Sequence, residues 1–173
     1  MNPFALLRFT LDLIQLRASP ADAPRSTLLL LQLLSLDLLS SLLFLQALGT
    51  EILLAPLLGR LLLRLGMIYA VLASFRRGDR WVQTAIALFA VSVLLTFVML
   101  PIAAALVRTP GDSVALDVQF LQLGYLSLLL WSIVIDAHVL RHALNLKIWY
   151  TLPMALGLFM LFNELATRMF PLS

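Results

Sequence analysis

Several charged side chains lie within long apolar stretches of this chain. They are the residues best suited to bind or relay an ion. Asp37 and Arg64 lie in consecutive stretches, each about 16 Å from the same predicted side of a membrane. An ionisable side chain within a span costs about 2.5–3.5 kcal/mol on insertion scales, so such residues usually face the bundle interior and pair. The spacing predicts an Asp37–Arg64 ion pair, with Arg60 one turn away as a competing partner. The pair could relay protons or ions, but a staple between helices is favoured, because no second carboxylate lies at that depth.

A second polar group consists of Gln122, Tyr125, Ser132 and Asp136. On a helix these four side chains share one face, which we interpret as the inward one. Asp136 lies about one turn from a predicted helix end, near the level of the loop RRGDR. Arg80 in that loop is therefore its predicted partner, and the group is interpreted as a structural network.

Two histidines, His138 and His142, follow with the i,i+4 spacing that could hold a metal ion or one side of a haem. The chain has no other histidine and no cysteine, so further ligands of the usual kinds are scarce. We therefore predict no cofactor and no metal, and interpret the pair as part of a cationic helix end that favours the negative pole of the helix dipole.

The composition places these groups in a membrane protein. Of 173 residues, 62% are hydrophobic and only 12% are charged, and the mean hydropathy is +1.01. Soluble domains have roughly 45–50% apolar residues, and a chain of this length could not bury the excess. A soluble enzyme, a disulfide-built secreted domain and a disordered regulator are excluded.

The apolar stretches predict an all-α, polytopic bundle. Each is about 20 residues long, as a spanning helix requires, and none alternates as a barrel strand would. Residues 1–25 predict an amphipathic helix and linker at the cytoplasmic interface, and residues 26–173 one transmembrane domain. The five predicted spans are residues 27–48, 52–75, 81–107, 118–140 and 148–170.

Basic residues near span ends set the orientation. With the amino terminus in the cytoplasm, eight basic residues lie on the cytoplasmic side and two on the other. The eight are Arg8, Arg17, Arg25, Arg76, Arg77, Arg80, Arg141 and Lys147, and the two are Arg108 and Arg168. We predict a cytoplasmic amino terminus and a periplasmic carboxyl terminus.

Catalytic motifs are missing from the sequence. It contains no GxSxG elbow, no HExxH pair and no phosphate-binding glycine loop. We therefore do not predict an enzyme.

Two short motifs carry a resemblance to known proteins. RWVQT at residues 80–84 and DAHVLRH at residues 136–142 are similar to sequences in small inner-membrane proteins of proteobacteria. Five spans behind a cytoplasmic segment resemble the Yip1-type membrane proteins. That resemblance implies a role in membrane organisation and partner binding, and it transfers no catalytic residue.

Two functions remain open from the sequence. The first is a non-catalytic membrane component that binds partners or organises the bilayer, using small-residue faces at Ala85, Ala87 and Ala90 or at residues 103–105. Its partners would be the lipid bilayer, other membrane proteins or a second copy, and not nucleic acid. The alternative is a small transporter or permease subunit that uses Asp37, Arg64 and Asp136 in its polar interior.

Overall fold

The computed structural model describes residues 3–50, 53–108 and 116–171, and throughout these ranges the regular structure is helical. Five of the helices are long and apolar enough to cross a membrane, which confirms the predicted fold class. The helices are α1 (Pro3–Ile14), α2 (Thr27–Ala47), α3 (Leu54–Ser74), α4 (Trp81–Arg108), α5 (Leu116–Leu144) and α6 (Ile148–Met169). Two single 3-10 turns, Pro20–Asp22 and Gly78–Arg80, precede α2 and α4.

Local sequence signals set several helix ends. The Ser26 hydroxyl caps α2 by accepting a hydrogen bond from the Leu29 amide at 3.2 Å. The same helix ends at Ala47, and Gly49 two residues later has a left-handed φ of 71° that lets the Thr50 amide bond back to the Leu45 carbonyl. A small polar residue and a glycine therefore mark the two ends of this mostly apolar helix.

Four of the long helices form a ring. α3 packs on α4, α4 on α5, α5 on α6 and α6 back on α3, whereas the diagonal pairs lie farther apart. α2 stands outside this ring and packs mainly on α4, and less on its sequence neighbour α3. The fold thus leaves a central space between α3, α4, α5 and α6.

The amino-terminal segment covers one end of the bundle. α1 and the turn Pro20–Asp22 pack against α4 and α5, and the α1 side chains Phe9 and Leu13 are buried there. Phe4 and Leu7 on another face of α1 are exposed. α1 is therefore docked onto the bundle while it keeps an apolar face outward, as an interfacial helix would.

The centre of the core lies in the first half of α4. Every residue from Gln83 to Val91 is buried, and Ala85, Ala87 and Ala90 belong to the main hydrophobic cluster. The close helix packing expected of this alanine face takes place within the chain, because the bundle itself covers it. Ala103 is buried in the same way.

Near the other end of the bundle, the end of α6 packs against α3 at Gly59. A Cβ placed on Gly59 would overlap the ring of Phe170, and the adjacent Arg60 donates a hydrogen bond from Nε to the Phe170 carbonyl at 3.1 Å. Gly59 is therefore required for close approach and not for backbone freedom.

Gly59→Ala tests this contact. We expect the variant to lose about 1–3 kcal/mol of unfolding free energy, as overpacked cores do, which would lower the thermal midpoint in detergent. Gly66→Ala in the same helix is the matched control, since nothing lies within 4 Å of a Cβ there. Equal midpoints for the two variants would contradict a tight Gly59–Phe170 contact.

Candidate functional site

The central space of the four-helix ring is a cavity of about 270 Å³. Its wall is mostly aliphatic, aromatic and thioether surface, interrupted by a small number of polar side chains. α3 contributes Arg64, Met67, Ile68 and Val71; α4 contributes Leu88, Val91, Ser92, Leu95, Thr96 and Met99; α5 contributes Ser132, Asp136 and Leu140; α6 contributes Ala155, Leu158, Phe159, Phe162 and Asn163. A largely apolar wall with few polar groups is typical of small-molecule sites.

The charged groups of this wall lie deep in the bundle. Arg64 is ten residues from the end of α3 and Asp136 eight residues from the end of α5, which corresponds to about 15 Å and about 12 Å along the helices. Both ends face the same side of the bundle as the amino-terminal segment. A guanidinium and a carboxylate therefore line the cavity at positions well inside the bundle, away from its two ends.

Arg64 is held by α4. Its Nη1 donates a hydrogen bond to the Ser92 hydroxyl at 2.8 Å, and its guanidinium lies 4.9 Å from the centroid of the Phe89 ring. The Ser92 side chain also interacts with the side chain of Asp37, which is buried on α2. Ser92 thus stands between the Arg64 and Asp37 side chains, and Arg60 takes no part because it bonds to the carbonyl of Phe170.

Asp136 faces the cavity with its partly exposed side chain. Its electrostatic partner is Arg64, and no hydrogen bond from any of the described residues reaches its carboxylate. The predicted ion pair with Arg80 is wrong. Arg80 instead donates from Nη1 to the carbonyls of His142 and Ala143, both at 3.4 Å, and so caps the end of α5.

The result is one guanidinium within electrostatic range of two carboxylates. Arg64 interacts with Asp37 on the α2 side and with Asp136 on the cavity side. The predicted direct ion pair between Asp37 and Arg64 is wrong, because the only close ion pair among the described residues joins Glu164 and Arg168. The sequence offered these residues as two separate networks, and the structure joins them through α3. We call Asp37, Arg64, Ser92 and Asp136 the buried charge cluster.

The predicted polar stripe of α5 is divided by the ring. Ser132 and Asp136 line the cavity, and the Ser132 hydroxyl donates to the carbonyl of Leu129 at 2.7 Å. Gln122 is exposed on the outside of the bundle, and Tyr125 is half-buried away from the cavity wall. Only the half of the stripe nearer the end of α5 therefore belongs to the site.

The histidines have a structural setting. His138 is buried, and its Nε2 lies 2.9 Å from the carbonyl oxygen of Ala18, which joins α5 to the amino-terminal segment. The ring of His142 packs edge to face on it, with centroids 4.7 Å apart. Among the described residues, no group of three His, Cys, Asp or Glu side chains is placed to hold a metal ion.

Gln83 is a structural residue whose role the sequence did not reveal. Its side-chain nitrogen donates to the carbonyls of Ala21 and Ala23 at 3.1 and 2.8 Å, and its oxygen accepts from Nε of Arg25 at 3.3 Å. A lone glutamine at the start of an otherwise apolar helix was the available signal. Gln83 and His138 together fasten residues 18–25 to the bundle, and we call these contacts the amino-terminal latch.

Comparison of this chain with known protein families, with curated proteins and with solved structures finds no match. The resemblance to Yip1-type membrane proteins therefore stays a prediction. The features that bear on function are the cavity and the charges beside it.

Proposed function

We propose that this protein is a small membrane transporter or permease component that holds its solute in the central cavity. The observation that carries this proposal is the position of Arg64 and Asp136 on the wall of an apolar cavity, deep in the bundle. Ionisable residues inside membrane bundles usually mark solute or ion pathways when they line a cavity. A purely structural ion pair would have no need of the open space beside it.

The packing of α3 also supports transport. α3 makes fewer close contacts with its ring neighbours than α4, α5 and α6 make with theirs, and it carries Arg64. A small movement of this helix would shift the guanidinium between Asp37 and Asp136. Loosely packed elements are those that move in gated proteins, so α3 is the expected moving part.

Native mass spectrometry of the protein extracted gently from its own membrane tests this proposal. We expect a small molecule to accompany the intact chain, and Thr96→Phe, which places a ring in the cavity, to remove it. Leu39→Phe is the matched control, because Leu39 is an exposed side chain on α2 outside the ring. A solute identified in this way can then be followed by uptake into liposomes containing the protein.

The same spectra address the alternative function. A partner-binding or membrane-organising component would be recovered with another protein or as a multimer, and Thr96→Phe would leave that assembly intact. A bare monomer from both variants would contradict the transporter proposal.

We also propose that the chain resides in a bacterial inner membrane with its amino terminus in the cytoplasm. The support is the distribution of charge: the end of the bundle that carries the amino-terminal latch has eight of the chain's 12 basic residues. Trp149 and Tyr150 are exposed at that end, as interfacial aromatic anchors are.

Single cysteines test the orientation, and the chain has no native cysteine to interfere. We expect a membrane-impermeant maleimide added to intact cells to label Thr167→Cys and to leave Asp79→Cys unlabelled until the cells are opened. Both positions are exposed. The reverse pattern would invert the proposed topology.

A further inference from the structure

We propose that the solute is a small organic cation, an ammonium group on an apolar body, and that Asp136 is its counter-ion. This inference rests on the proposed function and names the class of solute that the cavity takes. The charges, the hydrogen-bonding groups and the apolar wall of the cavity each favour this class of solute.

The charge balance favours a cation. The buried charge cluster has one guanidinium and two carboxylates, and the helices α4 and α6 contribute no charged side chain to the cavity wall. With both carboxylates ionised, a monovalent cation would neutralise the cluster, whereas an anion would add a second uncompensated charge. Buried charges are stable when they are paired.

The free acceptors of the wall favour a donor. Asp136 receives no hydrogen bond from the described residues, and an ionised carboxylate can only accept. The Ser132 hydroxyl donates its hydrogen to the Leu129 carbonyl at 2.7 Å, so its oxygen is left to accept. Arg64 and Asn163 each keep N–H groups that can donate, so the preference for an ammonium group rests on Asp136 and Ser132.

The wall suits an apolar body of limited size. Phe159 and Phe162 of α6 contribute aromatic rings, a residue type that attracts cations, and Met67 and Met99 contribute adaptable thioether surface. The volume of about 270 Å³ lies near the lower limit of typical ligand pockets, about 300 Å³. The solute is therefore expected to be of the size of a phenylalkyl amine.

Three probes of similar shape and different charge test the inference on the detergent-solubilised full chain. They are 2-phenylethylammonium, 2-phenylethanol and 3-phenylpropionate, and their binding is followed by calorimetry and by the rise in thermal midpoint. We expect the ammonium to bind at least tenfold more tightly than the alcohol, and the carboxylate to bind least.

Substitutions then assign the counter-ion. Asp136→Asn is expected to weaken ammonium binding at least tenfold and to weaken alcohol binding much less, because only the ammonium carries a charge that the carboxylate neutralises. Glu164→Gln is the matched control, because Glu164 is an exposed carboxylate paired with Arg168 outside the cavity, and we expect it to bind the ammonium as the parent chain does. If Asp136→Asn fails to fold, the ranking of the three probes on the parent chain still decides the charge of the solute.

Other outcomes overturn the inference. Tighter binding of 3-phenylpropionate would show that Arg64 sets the preference, which ends the cation assignment and leaves the transporter proposal standing. Equal binding of all three probes, or no binding of any, would also end it. The transporter proposal would then depend on the native spectra alone, so the two failures are distinguishable.

Discussion

Arg64→Met is expected to lower the unfolding free energy by about 3–5 kcal/mol, the loss typical of leaving a buried charge such as Asp37 uncompensated. The methionine retains apolar volume, so the effect comes from charge. Asp37 and Asp136 would both lose the guanidinium that they share. Thermal unfolding of the detergent-solubilised chain, followed by tryptophan fluorescence, measures the change.

The rescue experiment separates a shared guanidinium from a simple pair. Adding Asp37→Asn to Arg64→Met should restore stability only in part, because Asp136 remains uncompensated, and adding Asp136→Asn as well should restore more. Arg168→Met is the control, since this exposed residue forms a surface pair worth less than about 1 kcal/mol. Complete rescue by Asp37→Asn alone would contradict an interaction between Arg64 and Asp136.

Gln83→Leu is expected to release the amino-terminal segment. The substitution leaves the exposed Ala21 and Arg25 and the buried Ala23 without their shared partner, and the stranded buried carbonyl of Ala23 costs about 1–3 kcal/mol. Every 1.4 kcal/mol is about a factor of ten in an equilibrium constant. We therefore expect trypsin to cut at Arg17 and Arg25 at least tenfold faster than in the parent chain.

Gln122→Leu is the matched control for this experiment. It replaces the same type of side chain by the same residue, but on the exposed surface of α5. It should leave the cleavage rate and the thermal midpoint nearly unchanged. Cleavage of Gln83→Leu at the parental rate would mean that the latch does not hold residues 18–25.

The helices were well predicted because each one has its own local pattern in the sequence. A span is recognised from about 20 consecutive apolar residues, and the structural bounds differ from the predicted ones mainly at α5, which extends to Leu144. Ser26 and Gly49 end their helices through local chemistry that is readable from the sequence. None of this requires knowledge of which helix packs on which.

The site was only partly predictable because helix neighbours are a tertiary property. Counting residues from the span ends predicted that Asp37 and Arg64 lie at the same depth in the membrane. Nothing in the sequence shows that Ser92 lies between them. The pairing of Asp136 with Arg80 was wrong because Arg80 bonds to carbonyls at the end of α5, whereas Asp136 faces the cavity together with Arg64. The neighbour of the small-residue face of α4 was unpredictable for the same reason, since the packing of α2 on α4 is not encoded in any short motif.

The position of α2 outside the ring also has a consequence for biosynthesis. Asp37 enters the membrane 27 residues before Arg64, a delay of about 1–5 s at translation rates of about 5–20 residues per second. Ser92 follows later still. During that interval the nascent helix must retain an unmatched carboxylate in lipid or at the translocon, and its mean hydropathy of 2.2 supplies the apolar drive that keeps it inserted. Chains stalled before α3 would therefore keep an unmatched carboxylate in the apolar helix α2.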